Sequence, residues 1–259
     1  MKSVVRAGVL ALGVLGLSGL ANGGTLVLFP SSSGVSGVVV NTTTFAPGYP
    51  SGSFQANATP SSGGKSEIYV DPASIFGHSI KIGDIASMSY FTNKPGGGGD
   101  PDWTLLLYTS PTGTGDSASW YHARLNSEPY FTQTTVPSNT WHQWSTNAGS
   151  NSLLFYDQPR SGNFGTYTDP TLSQIQSGSF SWSSDPYSPQ SVEFLSFQTG
   201  SSWATGFTGL LDGFDITLKD GEVGAINFEA VPLPKSAWAG MVLFAGLALL
   251  KLRRKSSIA

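Results

Sequence analysis

Sixteen carboxylates, three histidines and no cysteine make up the side chains of this 259-residue chain that could do chemistry. Glycoside hydrolysis needs two carboxyl groups about 5–9 Å apart across the scissile bond. On a strand, residues i and i+2 share a face roughly 6.6 Å apart. Asp100 and Asp102 have that spacing, but they flank Pro101 in a loop that follows four glycines. Asp212 and Asp215 are three apart, which puts them on opposite faces of a regular strand. Glu193 and Glu229 stand alone, and no Glu-x-Asp-x-x-Glu triplet occurs. His78, His122 and His142 lack zinc-ligand spacing. No Gly-x-Ser-x-Gly elbow lies in the body of the chain to seat a nucleophilic serine. Thr59–Ser66 ends like a phosphate-binding loop, but Thr59 replaces the first glycine. The residues after it, Glu67 to Pro72, read as a strand where that motif needs a helix. The pattern points away from catalysis.

Binding is better supplied. Saccharides offer C–H faces that stack on flat rings, while Asp and Asn take their hydroxyls. Trp103, Trp120, Tyr121 and Trp203 are the candidate stacking residues. Trp141, Trp144 and Trp182 add further rings, and a cysteine-free core must consume several of the seven tryptophans. Neighbours on a strand alternate, so of Trp120 and Tyr121 one points in and one out. Asp100, Asp102 and Asp116 are candidate calcium ligands, since calcium takes oxygens from carboxylates and carbonyls.

The elements that must position these residues read as strands. Short apolar or alternating runs are separated by Gly, Ser, Pro, Asn and Asp clusters. They cover Thr25–Phe29, Val38–Thr42, Ser66–Val70, Ser87–Thr92, Thr104–Thr109 and Trp120–Leu125. Thr140–Ser145, Leu153–Tyr156, Val192–Gln198, Gly209–Leu218 and Ala225–Glu229 complete the set. Many short strands with turns between them predict an all-β antiparallel sandwich. Helix signals are thin. Pro170–Ser177 could turn once or twice from an Asp169 cap, and Ala73–Phe76 and Ile82–Ile85 are short turns. Ser31–Ser36 and Gly96–Gly99 read as loops. In Gly209–Leu218, the run Leu210, Phe214, Ile216, Leu218 marks the core side, and Asp212 on that side requires a partner.

The two ends carry membrane signals. Met1–Arg6 is basic, Ala7–Leu20 is apolar, and Ala21-Asn22-Gly23 supplies small residues, the pattern of a secretory signal peptide over residues 1–23. Cleavage by signal peptidase is expected after Gly23 or Gly24. Residues 24–230 form the body, where six cations face sixteen acids, a net charge near −10. That balance argues against nucleic acid, whose affinity comes from Lys and Arg on phosphates. Export without cysteine excludes disulfides, so burial alone must hold the core. Residues 231–259 read Val231-Pro232-Leu233-Pro234, then Ser236 to Leu250 without charge, then a basic end containing Arg253 and Arg254. The apolar run is about 22 Å long as a helix, short for a hydrocarbon core of about 30 Å. Snorkelling of the basic end makes up the difference and fixes it in the cytoplasm.

Proline motif, apolar helix and basic end, in that order, resemble the PEP-CTERM sorting signal of Gram-negative bacteria. Leu233 stands where that family usually has glutamate. The resemblance implies processing by an exosortase, a transient stay in the inner membrane, and a final place in the envelope, on the outer surface or in the extracellular matrix. Asp102–Thr109, Ser119–Leu125, Trp203–Gly209 and Leu211–Ile216 look like the lectin-like jelly rolls of tagged proteins, with the concanavalin-like sandwich as the nearest broad fold. The expectation is a non-catalytic exported protein that grips polysaccharide. The alternative is a secreted carbohydrate-active enzyme, a glycoside hydrolase or polysaccharide lyase.

Overall fold

The computed structural model describes residues 22–49, 52–57, 64–95, 102–110, 124–129, 137–147, 152–158, 169–179, 181–182, 185–200 and 207–228. Residues 1–21 and the tag from Val231 lie outside them. Among the described residues, no helix is long and apolar enough to cross a membrane.

The first strands are β1 (Asn22–Leu28), β2 (Val35–Ser36), β3 (Val38–Asn41), β4 (Ser53–Ala56) and β5 (Glu67–Val70). A single helical turn, α1 (Ala73–Phe76), and a 3-10 turn over Ile82–Asp84 lead to β6 (Ile85–Asn93). Then come β7 (Thr104–Ser110), β8 (Arg124–Ser127), β9 (His142–Ser145) and β10 (Tyr156–Gln158). After α2 (Leu172–Gln174) and a further turn over Ile175–Ser179 follow β11 (Ser181–Trp182) and β12 (Asp185–Pro186). The chain closes with β13 (Ser191–Gln198), β14 (Leu210–Leu218) and β15 (Val223–Phe228).

These strands build the expected all-β body. One sheet of six runs β10-β8-β7-β13-β5-β2, antiparallel throughout. The other has seven strands. β14 pairs β6 along its whole length on one side, and β9 extends that side. On its other side β14 pairs β4 at Leu210–Leu211 and β15 at Phe214–Thr217. The sheet therefore forks, with β3 beyond β4 and β1 beyond β15. β1 runs parallel to β15, the exception among the strand pairs of the described residues.

The sheets pack through apolar faces. Phe197 on β13 meets Tyr90, Phe214 and Phe228 of the opposite sheet at centroid distances of 5.5, 5.3 and 5.6 Å. All four are buried in one cluster with Leu105, Leu107 and Leu195. Tilted and edge-on contacts suit the ring quadrupoles and let the layers interdigitate.

Three local expectations are corrected. The turn after Pro170 caps at Thr171, not Asp169: Gln174 N–H donates to Thr171 Oγ1 and Thr171 N–H donates to Gln174 Oε1. Phe155 N–H donates to the Pro170 carbonyl, and Thr171 is itself extended. Of Leu153–Tyr156 only Tyr156 belongs to a strand, while Leu154 forms an isolated bridge to Thr171. Val35–Ser36, read as loop, pairs with β5.

In β14 the alternation breaks at Gly213. Asp212 lies opposite Phe91 and Phe214 opposite Tyr90, so Gly213 is an extra residue, a bulge, at φ 49°. Leu211 and Phe214 both enter the core, while Leu210 does not join it. The core side is thus as expected from Phe214 onward and reversed before it. Asp212 and Asp215 consequently share the outer face, contrary to the regular-strand reading.

Candidate functional site: an aromatic and polar sheet face

Directly paired residues lie on the same face of a sheet. On the six-stranded sheet, Ile68, Leu105, Leu107, Leu195 and Phe197 go to the core. The opposite face therefore carries Glu67 and Tyr69 from β5, Tyr108 from β7, Arg124 from β8, and Phe194, Ser196 and Gln198 from β13. Pairings Tyr108–Arg124, Tyr108–Phe194, Ser196–Tyr69 and Gln198–Glu67 place them side by side.

Gln198 is the hub. Its Nε2 lies 2.9 Å from Tyr69 Oη, 3.0 Å from Tyr108 Oη and 2.9 Å from Ser196 Oγ. An amide nitrogen has two hydrogens, so three acceptors share them. Arg124 Nη1 donates to Tyr108 Oη at 3.2 Å, and its guanidinium carbon sits 5.7 Å from the Tyr108 ring centre. Tyr69 Oη donates to Glu67 Oε1 at 3.4 Å, and Lys65 Nζ reaches the same oxygen at 3.1 Å. Tyr69 stands 5.8 Å from Tyr108 at 38° and 6.1 Å from Phe194 at 85°. Burial, then the neighbouring Tyr108, pushes the Tyr69 hydroxyl well above the ordinary tyrosine range. It stays a neutral donor. Tyr108 and Gln198 are buried, while Tyr69, Phe194, Arg124 and Glu67 remain partly open. The partly open Tyr69 and Phe194 rings beside the Arg124 guanidinium and the Glu67 carboxylate supply what a saccharide needs, a face to stack on and partners for its hydroxyls, with Gln198 as the buried brace beneath them.

The other sheet carries a second cluster on its outer face. The segment Ala46–Tyr49 crosses the fork and is fastened to both acids. Ala46 N–H donates to Asp212 Oδ2 at 2.9 Å, and Tyr49 Oη donates to Asp215 Oδ2 at 2.7 Å. Gly213 N–H donates to Asp212 Oδ1 at 2.8 Å. The Tyr49 ring covers Gly213, where a Cβ would come within 2.2 Å of it, and packs against Phe91 at 6.0 Å. Burial and the Asp215 bond hold the Tyr49 hydroxyl well above its usual range. Asp212, read as a core-side acid in need of a partner, is fully buried and bonded on the outer side.

Of the residues singled out from sequence, Trp103 is fully buried, with Nε1 donating to the Gly209 carbonyl at 2.9 Å. It offers no face to a saccharide, which corrects its reading as a stacking ring. Trp144 is likewise buried, donating to Thr92 Oγ1 at 2.8 Å. Asp102, read as a calcium candidate, is enclosed. Its oxygens accept from Thr92 Oγ1 and from Trp103 N–H, both at 2.8 Å. Burial raises its carboxyl to about 6, against the lowering pull of those bonds and of Lys94. Among the described residues no group of three His, Cys, Asp or Glu could hold a metal ion. Trp120, Tyr121, Trp203, Asp100, Asp116, Val231, Pro232, Leu233, Pro234, Arg253 and Arg254 lie outside the described residues. Sequence reasoning missed Tyr69, Tyr108, Phe194 and Gln198. Their signal was the period of two in Glu67-x-Tyr69 and Phe194-x-Ser196-x-Gln198, interleaved with apolar residues.

No family model matches the chain, and no curated protein or solved structure shows significant similarity to it.

Proposed function

We propose that this is an exported, non-catalytic envelope or matrix protein that binds polysaccharide on the outer face of its six-stranded sheet. The lectin-like jelly roll is the fold relationship that suits this reading. The observation that carries it is the Gln198 hub, which locks Tyr69 and Tyr108 beside Phe194 and Arg124 on one partly open face. The leader in residues 1–23 and the tag in residues 231–259 supply the route. Signal peptidase removes the first, an exosortase processes the second, and the membrane holds the protein in between. The test is gel retardation of the purified protein by a panel of exopolysaccharides. Retardation by at least one of them, lost in Tyr69→Ala while the variant remains folded at the assay temperature, is the expected result. Equal mobility of both proteins in every gel sinks the assignment.

A second reading, a secreted carbohydrate-active enzyme, draws on one observation. Asp212 and Asp215 share a face with Tyr49 between them. Both carboxylates are already engaged in fastening the Ala46–Tyr49 segment, and that favours the binding reading.

A further inference from the structure

Resting on that binding reading, we infer that the Tyr69–Phe194 face takes a single, soluble polysaccharide chain and rejects ordered polysaccharide surfaces. A crystalline polysaccharide presents a flat array of C–H faces. Rings that grip it must lie coplanar, so that one plane of sugar touches all of them at once. The rings here do the opposite. Tyr69 meets Phe194 at 85° and Tyr108 at 38°. Two rings at a right angle make a corner, and no plane stacks on both. A hydrated chain twists freely, so one of its sugars stacks on one ring while the edge of the next rests against the other.

The Tyr69 wall of the corner is held rather than adaptable. The Gln198 amide reaches both tyrosine hydroxyls, and Arg124 bonds the Tyr108 hydroxyl from the other side. Tyr69 is further tied to Glu67, which Lys65 also contacts. Flattening the rings onto a surface would break these bonds. Keeping them angled costs a soluble chain nothing extra, because the site is already in its bound arrangement.

The experiment compares the two physical states of one sugar chemistry. The purified protein is presented with pairs: soluble hydroxyethyl cellulose against microcrystalline cellulose, soluble glycol chitosan against crystalline chitin, and a soluble exopolysaccharide against its dried, ordered film. The inference predicts at least tenfold stronger binding to the soluble member of any pair that is bound. Tyr69→Ala and Phe194→Ala should each weaken the soluble interaction about tenfold and leave residual surface adsorption unchanged. Tyr69→Phe keeps the ring and loses the hydroxyl, so it should fall between wild type and Tyr69→Ala. Equal or stronger adsorption to a crystalline member overturns the inference while the binding reading stands. A soluble preference that survives both alanine variants overturns the assignment to this corner. Failure to bind either member of every pair overturns the binding reading as well.

Discussion

Between about pH 4 and pH 6 the buried Asp102 keeps a carboxyl proton that the unfolded chain gives up. Burial raises its carboxyl from 3.8 to about 6. Between those values the native state binds more protons than the unfolded state, so stability falls as pH rises. The contribution is complete below about pH 4 and is lost as pH passes 6, on the order of 3 kcal/mol for that separation. Asp102→Asn removes this slope. Denaturant melts should show wild type losing about that much relative to the variant between pH 4 and pH 7, and parallel pH profiles would contradict the assignment. His78 has the opposite charge logic. Its Nδ1 faces the Ser79 carbonyl and its Nε2 contacts Glu222 at 3.0 Å, and both raise it above 6.5. The stability it adds is present below pH 6.5 and fades as pH rises through the raised value. An NMR titration of His78 should have its midpoint above 6.5 in the native protein and drop toward that value in Glu222→Gln.

At the scale of elements, the Gly213 bulge decides which side chains of β14 face which way. It sits at φ 49° beneath Tyr49, and a Cβ there would come within 2.2 Å of the ring. Gly221 also has positive φ, 95°, but with nothing within 4 Å. Gly221→Ala should therefore cost only the backbone term, about 1–2 kcal/mol. Gly213→Ala should cost clearly more, because Tyr49 and its Asp215 bond must move as well. Equal thermal shifts for the two variants would refute the packed bulge. Phe214, just past it, is fully buried against Phe197, and Phe214→Ala should cost about 3–5 kcal/mol in a denaturant melt. The strands themselves were legible as short apolar runs bounded by turn residues, as in Thr104–Ser110 and Ser191–Gln198. The bulge was not, because one glycine between two acids reads as ordinary strand until its partners are known. Trp103 and Asp102 were misread for a related reason. A ring and an acid beside a glycine loop look exposed in sequence, and only the hydrogen bonds to Gly209, Thr92 and the Trp103 amide show that they are enclosed.

At the scale of the whole molecule, the leader and the tag would leave from opposite ends of one parallel pair. β1 starts beside Val223 and ends beside Phe228. The expected cleavage sites after Gly23 and Gly24 fall inside β1, yet the four pairs from Thr25–Ala225 to Leu28–Phe228 survive either cut. Intact-mass measurement of envelope-derived protein should show a start at Gly24 or Thr25 and loss of the basic end. A mass that still includes Arg253 and Arg254 would indicate simple anchoring. On the proposed route the body, near −10 in charge, would sit outside the inner membrane. Whether that face binds without cutting is the question on which the proposed function turns. The most direct measurement takes the polysaccharide that retards the protein best and follows bound fraction and new chain ends in the same sample. Saturable binding that Tyr69→Ala weakens about tenfold, with neither reducing nor unsaturated ends appearing over time, is the predicted result. Sustained release of such ends by the wild type, stopped by Asp215→Asn and untouched by Tyr69→Ala, would contradict it and move the function to the Asp212–Tyr49–Asp215 face.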